Sequence, residues 1–128
     1  MPGPTILLIE DNEQNAYLAR FLLQQAGCAV VTARTGQEGL EKVRSAIPDL
    51  ILLDIQLPDT DGYQIAQRLR EDPVVRHIPI VALTSFAMPG EKKRALELGC
   101  RGYIEKPIEA GKFAQQVKAF LPSAGDAR

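Results

Sequence analysis

This 128-residue chain contains five short apolar runs, and four of them are followed closely by acidic, hydroxyl or basic side chains. These residues are Glu10 and Asp11 after the first run, Asp54 after the third, Thr84 after the fourth, and Lys106 behind the fifth. In open α/β sheets, ligands bind outside the carboxyl ends of the strands. If the runs are parallel strands, the sequence predicts one site that combines three carboxylates, a hydroxyl and an ammonium group.

These residue types suit phosphoryl chemistry that depends on a metal ion. Glu10, Asp11 and Asp54 would repel one another unless protons or a cation compensated their charge. Oxygen ligands with no histidine nearby favour a hard cation, Mg²⁺ before zinc, and such an ion could hold the oxygens of a phosphoryl group. Asp54 could then act as a nucleophile that forms an acyl phosphate. Lys106 would supply a point charge and Thr84 a hydroxyl donor.

Each of these residues also has a structural interpretation. Asp11 or Asn12 could simply cap the helix that follows. Thr84 could be an ordinary strand residue, and Lys106 a solvated charge at a strand end. Asp54 is harder to explain in this way, because a turn needs no acid at the last position of a strand. The placement of all of them on one rim favours a site.

Hydrophobic patterning predicts the elements that must position this site. Continuous apolar runs, typical of strands covered on both faces, occur at residues 6–9, 29–31, 50–53, 80–83 and 103–104. Stripes of helical period follow each run, within residues 18–26, 40–47, 65–69, 89–98 and 113–121, and the stripe at 89–98 is the weaker one. Strict alternation of strand and helix predicts an α/β fold with a doubly wound, five-stranded parallel sheet and helices on both faces.

Local signals agree with these boundaries. Thr35 and Glu38 have the spacing of a capping box, in which each side chain bonds an amide at the start of the second helix. Gly27 and Gly99 stand just beyond the first and fourth helical stretches, where a left-handed residue is favoured.

Length and composition exclude several classes of protein. With 45% hydrophobic residues, 15 basic and 16 acidic side chains, we expect one domain over residues 1–128, with a core of about 5–121 between short loose tails. The net charge of −1 gives no long-range attraction to nucleic acid or to an anionic membrane. Cys28 and Cys100 stand alone, which predicts reduced thiols. Without a membrane-length apolar run or a signal peptide, we expect a cytoplasmic protein.

Five motifs, spread over about residues 5–121, resemble the response-regulator receiver (CheY-like) family of two-component signalling. They are its acidic pair, phospho-acceptor loop, switch hydroxyl, switch aromatic and Lys-Pro signature. In this chain the corresponding residues are Glu10-Asp11, residues 54–62, Thr84, Tyr103 and Lys106-Pro107. The segment 84–88 followed by Gly90 is most similar to single-domain regulators of the DivK type and to receivers of hybrid kinases.

The resemblance implies a flavodoxin-like fold with strand order 2-1-3-4-5. It implies that Asp54 accepts a phosphoryl group from a sensor histidine kinase or a histidine phosphotransfer protein. The Mg²⁺ cofactor would be held by Asp11, Asp54, the backbone carbonyl of Gln56 and, through water, Glu10. Lys106 would pair with the phosphoryl oxygens, and the Lys106–Pro107 peptide bond would be cis.

The resemblance also implies how the signal leaves the domain. Thr84 would turn toward the phosphoryl group and Tyr103 would swing inward, which remodels the face of the fourth helix, fifth strand and fifth helix for a downstream protein target. A homodimer that forms on phosphorylation is a further arrangement that it allows. The chain would catalyse its own phosphorylation and autodephosphorylation without being a turnover enzyme. Because no output domain follows residue 121, output would pass through protein contacts, unless the chain is a piece of a longer one.

Several positions depart from the family pattern or are open to two interpretations. Ser85 stands where the family often has alanine, and Gln56 and Phe86 occupy positions that tune dephosphorylation in the family. The charged run of residues 91–94 is either a solvated face of the fourth helix or a surface for partner recognition.

Three other functions fit less well. A Mg²⁺-dependent aspartyl-phosphate phosphatase of the haloacid-dehalogenase kind needs Asp-x-Asp at the nucleophile, and this chain has Gln56 at the second position. A degenerate receiver, acting only as an interaction module, would be expected to lose acid-pocket residues that this chain retains. A flavodoxin would need a Ser/Thr-rich phosphate loop after the first strand.

Overall fold

Strands and helices alternate along the chain in the computed structural model, which describes residues 3–85 and 89–122. The strands are β1 (Thr5–Ile9), β2 (Ala29–Ala33), β3 (Leu50–Asp54), β4 (Ile80–Thr84) and β5 (Gly102–Glu105). The helices are α1 (Glu13–Gln25), α2 (Gly36–Ala46), α3 (Gly62–Glu71), α4 (Pro89–Glu97) and α5 (Phe113–Lys118). The tails predicted from the sequence lie largely outside the described residues. Phe86, Ala87 and Met88 lie wholly outside them.

The strands form one parallel sheet in the order β2-β1-β3-β4-β5. The predicted doubly wound α/β fold and its flavodoxin-like strand order are therefore confirmed. None of the helices in the described part of the chain is long and apolar enough to cross a membrane.

Continuous apolar strands produce two separate cores, one on each face of the sheet. Alternate side chains of a strand point to opposite faces. Leu7 and Ile9 of β1 accordingly join the cluster beneath α2, α3 and α4, whereas Ile6 and Leu8 join the cluster beneath α1 and α5. All four are completely buried, as expected for the inner strands of a sheet that is covered on both sides. The two cysteines are buried in different clusters and carry free thiols.

The helix ends confirm most of the predicted signals and correct one. Gly27 and Gly99 have φ angles of 93° and 100°, the left-handed conformation predicted for them. Thr35 caps α2 by accepting a hydrogen bond from the Glu38 amide at 3.0 Å. The reciprocal half of the predicted capping box is wrong, because the Glu38 carboxylate accepts from the Arg34 amide and not from Thr35.

Two residues of the predicted helical stripes lie at the surface. Ile47 is 47% exposed, because α2 ends at Ala46 and Ile47 adopts a left-handed conformation beyond it. Leu96 of α4 is 55% exposed, whereas the adjacent Ala95 is buried. Neighbouring positions on a helix face different directions, so α4 cannot bury both side chains.

The left-handed backbone of Ile47, with φ of 41°, is strained for a β-branched residue. We expect Ile47→Gly to raise the free energy of unfolding by about 1 kcal/mol, since glycine adopts this conformation without strain. Urea denaturation would measure the change. Ile47→Ala is the matched control, because it also removes the exposed side chain but retains Cβ. Equal stability of the two variants would contradict this explanation.

Candidate functional site

The predicted site residues meet at the carboxyl edge of the sheet. Asp54 and Thr84 are the last residues of β3 and β4, Glu10 directly follows β1, and Lys106 directly follows β5. The register places these strand ends side by side, with Asp54 opposite Leu83 and Thr84 opposite Glu105. The edge of the sheet therefore collects residues that are far apart in the sequence.

Three carboxylates form a compact cluster at this edge. Glu10, Asp11 and Asp54 each offer an oxygen, and these atoms all lie within 4.8 Å of one another. Asp11 is left available because Asn12 caps α1, accepting a hydrogen bond from the Asn15 amide at 2.9 Å. Of the two residues predicted as possible caps of this helix, Asn12 is therefore the cap and Asp11 is not.

Lys106 lies between the two buried carboxylates of this cluster. Its Nζ is 2.8 Å from Glu10 Oε1 and 3.1 Å from Asp54 Oδ2. The Lys106 amide donates to the Thr84 carbonyl at 2.8 Å, and the Lys106–Pro107 peptide bond is cis. The Lys106 ammonium group therefore contacts both buried carboxylates from the end of β5.

One ammonium group does not balance the carboxylates. Burial and the neighbouring Asp54 carboxyl group raise the pKa of Glu10 to about 7, against the opposing effect of Lys106. Burial alone would lower the pKa of Lys106, but its contacts with Glu10 and Asp54 raise it instead. The ammonium group of Lys106 is thus stabilised beside a carboxyl group whose pKa is raised by burial.

The donor set fits a hard divalent cation. The three clustered side chains offer oxygen atoms only, which Mg²⁺ prefers to sulfur or nitrogen. Glu10 Oε1 is buried and lies 2.8 Å from Lys106 Nζ, a single positive charge beside three carboxyl groups. A cation here would supply the missing positive charge.

The loop that follows Asp54, residues 55–61, is closed by backbone contacts. Asp54 Oδ1 accepts a hydrogen bond from the Gln56 amide at 3.0 Å, and Gln56 forms an isolated antiparallel bridge with Asp61. The Gly62 amide donates to the Ile55 carbonyl at 2.8 Å. These contacts return the chain to the start of α3 directly beside Asp54. Residues 55–61 are the part of the predicted phospho-acceptor loop (residues 54–62) that lies between β3 and α3, and we refer to them below as the phospho-acceptor loop.

Gly62 allows this close return, since a Cβ there would lie 2.6 Å from the Asp54 carbonyl oxygen and 2.7 Å from Ile55 Cα. We expect Gly62→Ala to lower the free energy of unfolding by roughly 1–3 kcal/mol, because backbone atoms must move to admit the methyl group. Chemical denaturation would measure the loss. Gly90→Ala is the matched control, as nothing lies within 4 Å of its added Cβ. An equally small effect of both substitutions would contradict the close approach at Gly62.

The predicted switch residues lie on adjacent strands. Thr84 is buried at the end of β4, and Tyr103 is half-buried on β5. Lys92 of α4 places its Nζ 4.8 Å from the centroid of the Tyr103 ring. Ser85 is exposed beside Thr84. Thr84 thus lies at the carboxyl edge of the sheet, and Tyr103 on the next strand contacts α4.

Tyr63, in the first turn of α3, also contacts α4, but it belongs to none of the five motifs. Its side chain is buried, and its hydroxyl donates to the carboxylate of Glu91 on α4. Tyr63, Ala66 and Leu69 follow each other at three-residue intervals, so the helical stripe of α3 could have been extended to include it. Its partner on α4 could not be inferred from the sequence.

Comparisons with known proteins identify the family to which the chain is similar. The family model for the response regulator receiver domain matches residues 6–118. The chain is 42% identical over 120 residues to the polar-differentiation response regulator DivK of Brucella ovis, an alignment that covers 94% of this chain and 98% of that protein.

Two solved structures of receiver proteins are similar in fold to this chain. The signal receiver domain of a signal transduction histidine kinase from Syntrophus aciditrophicus has a TM-score of 0.86 at 30% identity, covering 98% of this chain and 96% of the other. The chemotaxis response regulator CheY4 of Vibrio cholerae has a TM-score of 0.87 at 26% identity, covering 92% and 98% respectively. The match to the family model, together with the order of the strands in the sheet, shows that the chain belongs to the response regulator receiver domain family of two-component signalling.

Proposed function

We propose that Asp54 accepts a phosphoryl group from the phosphohistidine of a sensor histidine kinase or a histidine phosphotransfer protein. A carboxylate oxygen of Asp54 would bond to phosphorus while the phosphorus–nitrogen bond breaks, and the imidazole would leave with the electron pair. The observation that carries the proposal is the position of Asp54 Oδ2, 3.1 Å from Lys106 Nζ and beside two further carboxylates.

The oxygen cluster supports a Mg²⁺ site within this proposal. Glu10, Asp11 and Asp54, with the backbone carbonyl of Gln56, would hold the ion. When bound, Mg²⁺ would neutralise negative charge on the transferred phosphoryl group. Glu10 and Asp54 would at the same time hold the Lys106 ammonium group where it can pair with phosphoryl oxygens.

Thr84 and Tyr103 would carry the change to a partner surface. Thr84 would donate its hydroxyl to the new phosphoryl group, and Tyr103, now beside Lys92, would move inward. The face formed by α4, β5 and α5 would then bind a downstream protein target or a second copy of the chain, since a local change in charge can reposition a whole element.

The proposal describes a phosphorylated switch and not an enzyme that turns over a separate substrate. The chain would catalyse only its own phosphorylation and autodephosphorylation. Neither nucleic acid nor membrane has a role in it. The two free, buried cysteines are consistent with a reducing compartment, and we place the protein in the cytoplasm.

Incubation with acetyl phosphate tests this function without knowledge of the natural donor. We expect intact-mass spectrometry to show one added phosphoryl group when Mg²⁺ is present, and none when the metal is chelated. Hydroxylamine should remove the group, because it cleaves acyl phosphates and leaves phosphate esters intact. A metal-independent or hydroxylamine-resistant adduct would contradict the proposed chemistry.

A further inference from the structure

Helix α4 is held in place by few apolar contacts. Of its side chains from residue 90 onward, Ala95 alone is buried. The position of α4 must therefore depend on polar contacts with its neighbours. At its C-terminal end, Arg70 of α3 donates to the Glu97 carbonyl at 3.0 Å.

At the other end of α4, Glu91 contacts the first turn of α3. The buried Tyr63 hydroxyl donates to the Glu91 carboxylate and lies 3.3 Å from the Glu91 carbonyl oxygen. Burial, reinforced by Glu91, raises the pKa of Tyr63. Tyr63 therefore remains a hydrogen-bond donor throughout the physiological pH range.

Arg94 contacts the same turn from one helical turn further along α4. Its guanidinium carbon lies 4.3 Å from the centroid of the Tyr63 ring, and its Nη2 lies 3.3 Å from Asp61 Oδ2. Guanidinium groups favour such positions over aromatic rings. The charged run at residues 91–94 is thus divided. Glu91 and Arg94 contact the start of α3, whereas Lys92 lies over the Tyr103 ring of β5 and Lys93 pairs with Glu97 of its own helix.

Asp61 joins this contact to the site itself. Its Oδ1 accepts a hydrogen bond from the Tyr63 amide at 2.9 Å, and its Oδ2 pairs with Arg94. Its backbone is bridged to Gln56, whose amide donates to Asp54. A continuous series of contacts therefore runs from α4, through the phospho-acceptor loop, to the carboxylate of Asp54.

We propose that Glu91 and Arg94 are positioning residues for the phospho-acceptor loop, holding Gln56 and Asp61 in the arrangement that binds the metal ion. This inference rests on the Mg²⁺ site of the proposed function. Because coupling between sites is reciprocal, Mg²⁺ binding also stabilises the docked position of α4. A protein that pulls α4 away from α3 accordingly weakens metal binding at Asp54.

Three variants of the full chain test this coupling. Arg94→Ala removes the contacts with Asp61 and the Tyr63 ring, Glu91→Gln weakens the acceptor, and Tyr63→Phe deletes the hydroxyl alone. Titration calorimetry with Mg²⁺ should show dissociation constants about fivefold higher than that of the unsubstituted chain. Hydrogen exchange without metal should show faster exchange at the Gln56 and Gly62 amides.

Matched controls separate positioning from a general loss of stability. Lys93→Ala removes one exposed charge from the same helix, and Gln67→Ala removes an exposed polar side chain from α3. Val117→Ala weakens the core on the opposite face of the sheet, where Val117 is fully buried on α5. All three controls should keep the Mg²⁺ affinity and the loop exchange of the unsubstituted chain.

Unchanged affinity and unchanged loop exchange in the Arg94 and Tyr63 variants would overturn the inference. An equal loss of affinity in Val117→Ala would also overturn it, because the effect would then follow stability alone. If the unsubstituted chain fails to bind Mg²⁺, the proposed function fails. The exchange measurement, which needs no metal, still decides whether α4 positions the loop.

Discussion

Asp54→Asn is expected to abolish labelling of the chain by acetyl phosphate and Mg²⁺. Asparagine retains the shape of the side chain and an oxygen that can accept the hydrogen bond from the Gln56 amide, now 3.0 Å from Asp54 Oδ1. Its neutral amide is a much weaker nucleophile than a carboxylate, so no acyl phosphate should form. Intact-mass spectrometry would measure the phosphorylated fraction, which should fall to background.

Asp59→Asn is the control for this substitution. Asp59 is an exposed carboxylate of the same loop, and it bonds the Gly36 amide at 2.8 Å, away from the acid cluster. The Asp59→Asn variant should be phosphorylated by acetyl phosphate as fully as the unsubstituted chain. Undiminished labelling of Asp54→Asn would place the acceptor at another residue.

Mg²⁺ is expected to raise the free energy of unfolding, by about 2.7 kcal/mol at a free concentration one hundred times its dissociation constant. The physical reason is that the folded chain brings Asp54 within 4.8 Å of Glu10 and Asp11, whereas the unfolded chain does not hold it beside that acidic pair. Asp11→Ala should remove most of the increase, because it deletes one ligand and relieves part of the repulsion. Urea denaturation with and without Mg²⁺, at constant ionic strength, would measure the difference.

Glu13→Ala provides the comparison for Asp11→Ala. Glu13 is an exposed acid close by in sequence, but it pairs with Arg34 at 3.3 Å and does not belong to the cluster. It should retain the full stabilisation by Mg²⁺. A chain that shows no response to Mg²⁺, or an Asp11→Ala variant that responds fully, would contradict the metal site.

The sheet and the acid cluster could be predicted because short-range signals determine both. The runs at residues 50–53 and 80–83 are wholly apolar, so each marks an inner parallel strand without ambiguity. Once those strands are parallel, Asp54 and Thr84 must lie at the same edge. The residues at the strand ends therefore predict the acid cluster without knowledge of any tertiary contact.

Contacts between helices could not be predicted in the same way. The pairing of Tyr63 with Glu91 depends on how α4 is placed against α3, and α4 has little apolar pattern to indicate its buried face. The outward position of Ile47 depends on where α2 ends, which the apolar stripe overestimated. Glu38 bonds Arg34 instead of Thr35 because the path of the preceding chain, and not the motif, decides which amide is within reach.

The net charge of −1 shows how far composition can mislead about a site. Near-neutral balance over the whole chain coexists with three carboxylates beside a single ammonium group at one edge of the sheet. The excess of negative charge is therefore confined to this edge of the sheet and does not show in the net charge.

The most direct test of the central claim is to locate the phosphoryl group after transfer from a phosphorylated histidine phosphotransfer protein in the presence of Mg²⁺. Borohydride reduction converts an aspartyl phosphate to homoserine, and peptide mapping by mass spectrometry then identifies the modified position. We predict homoserine at position 54 and at no other acidic residue. Homoserine at another position, or a phosphorylated chain that borohydride leaves unchanged, would contradict the role of Asp54.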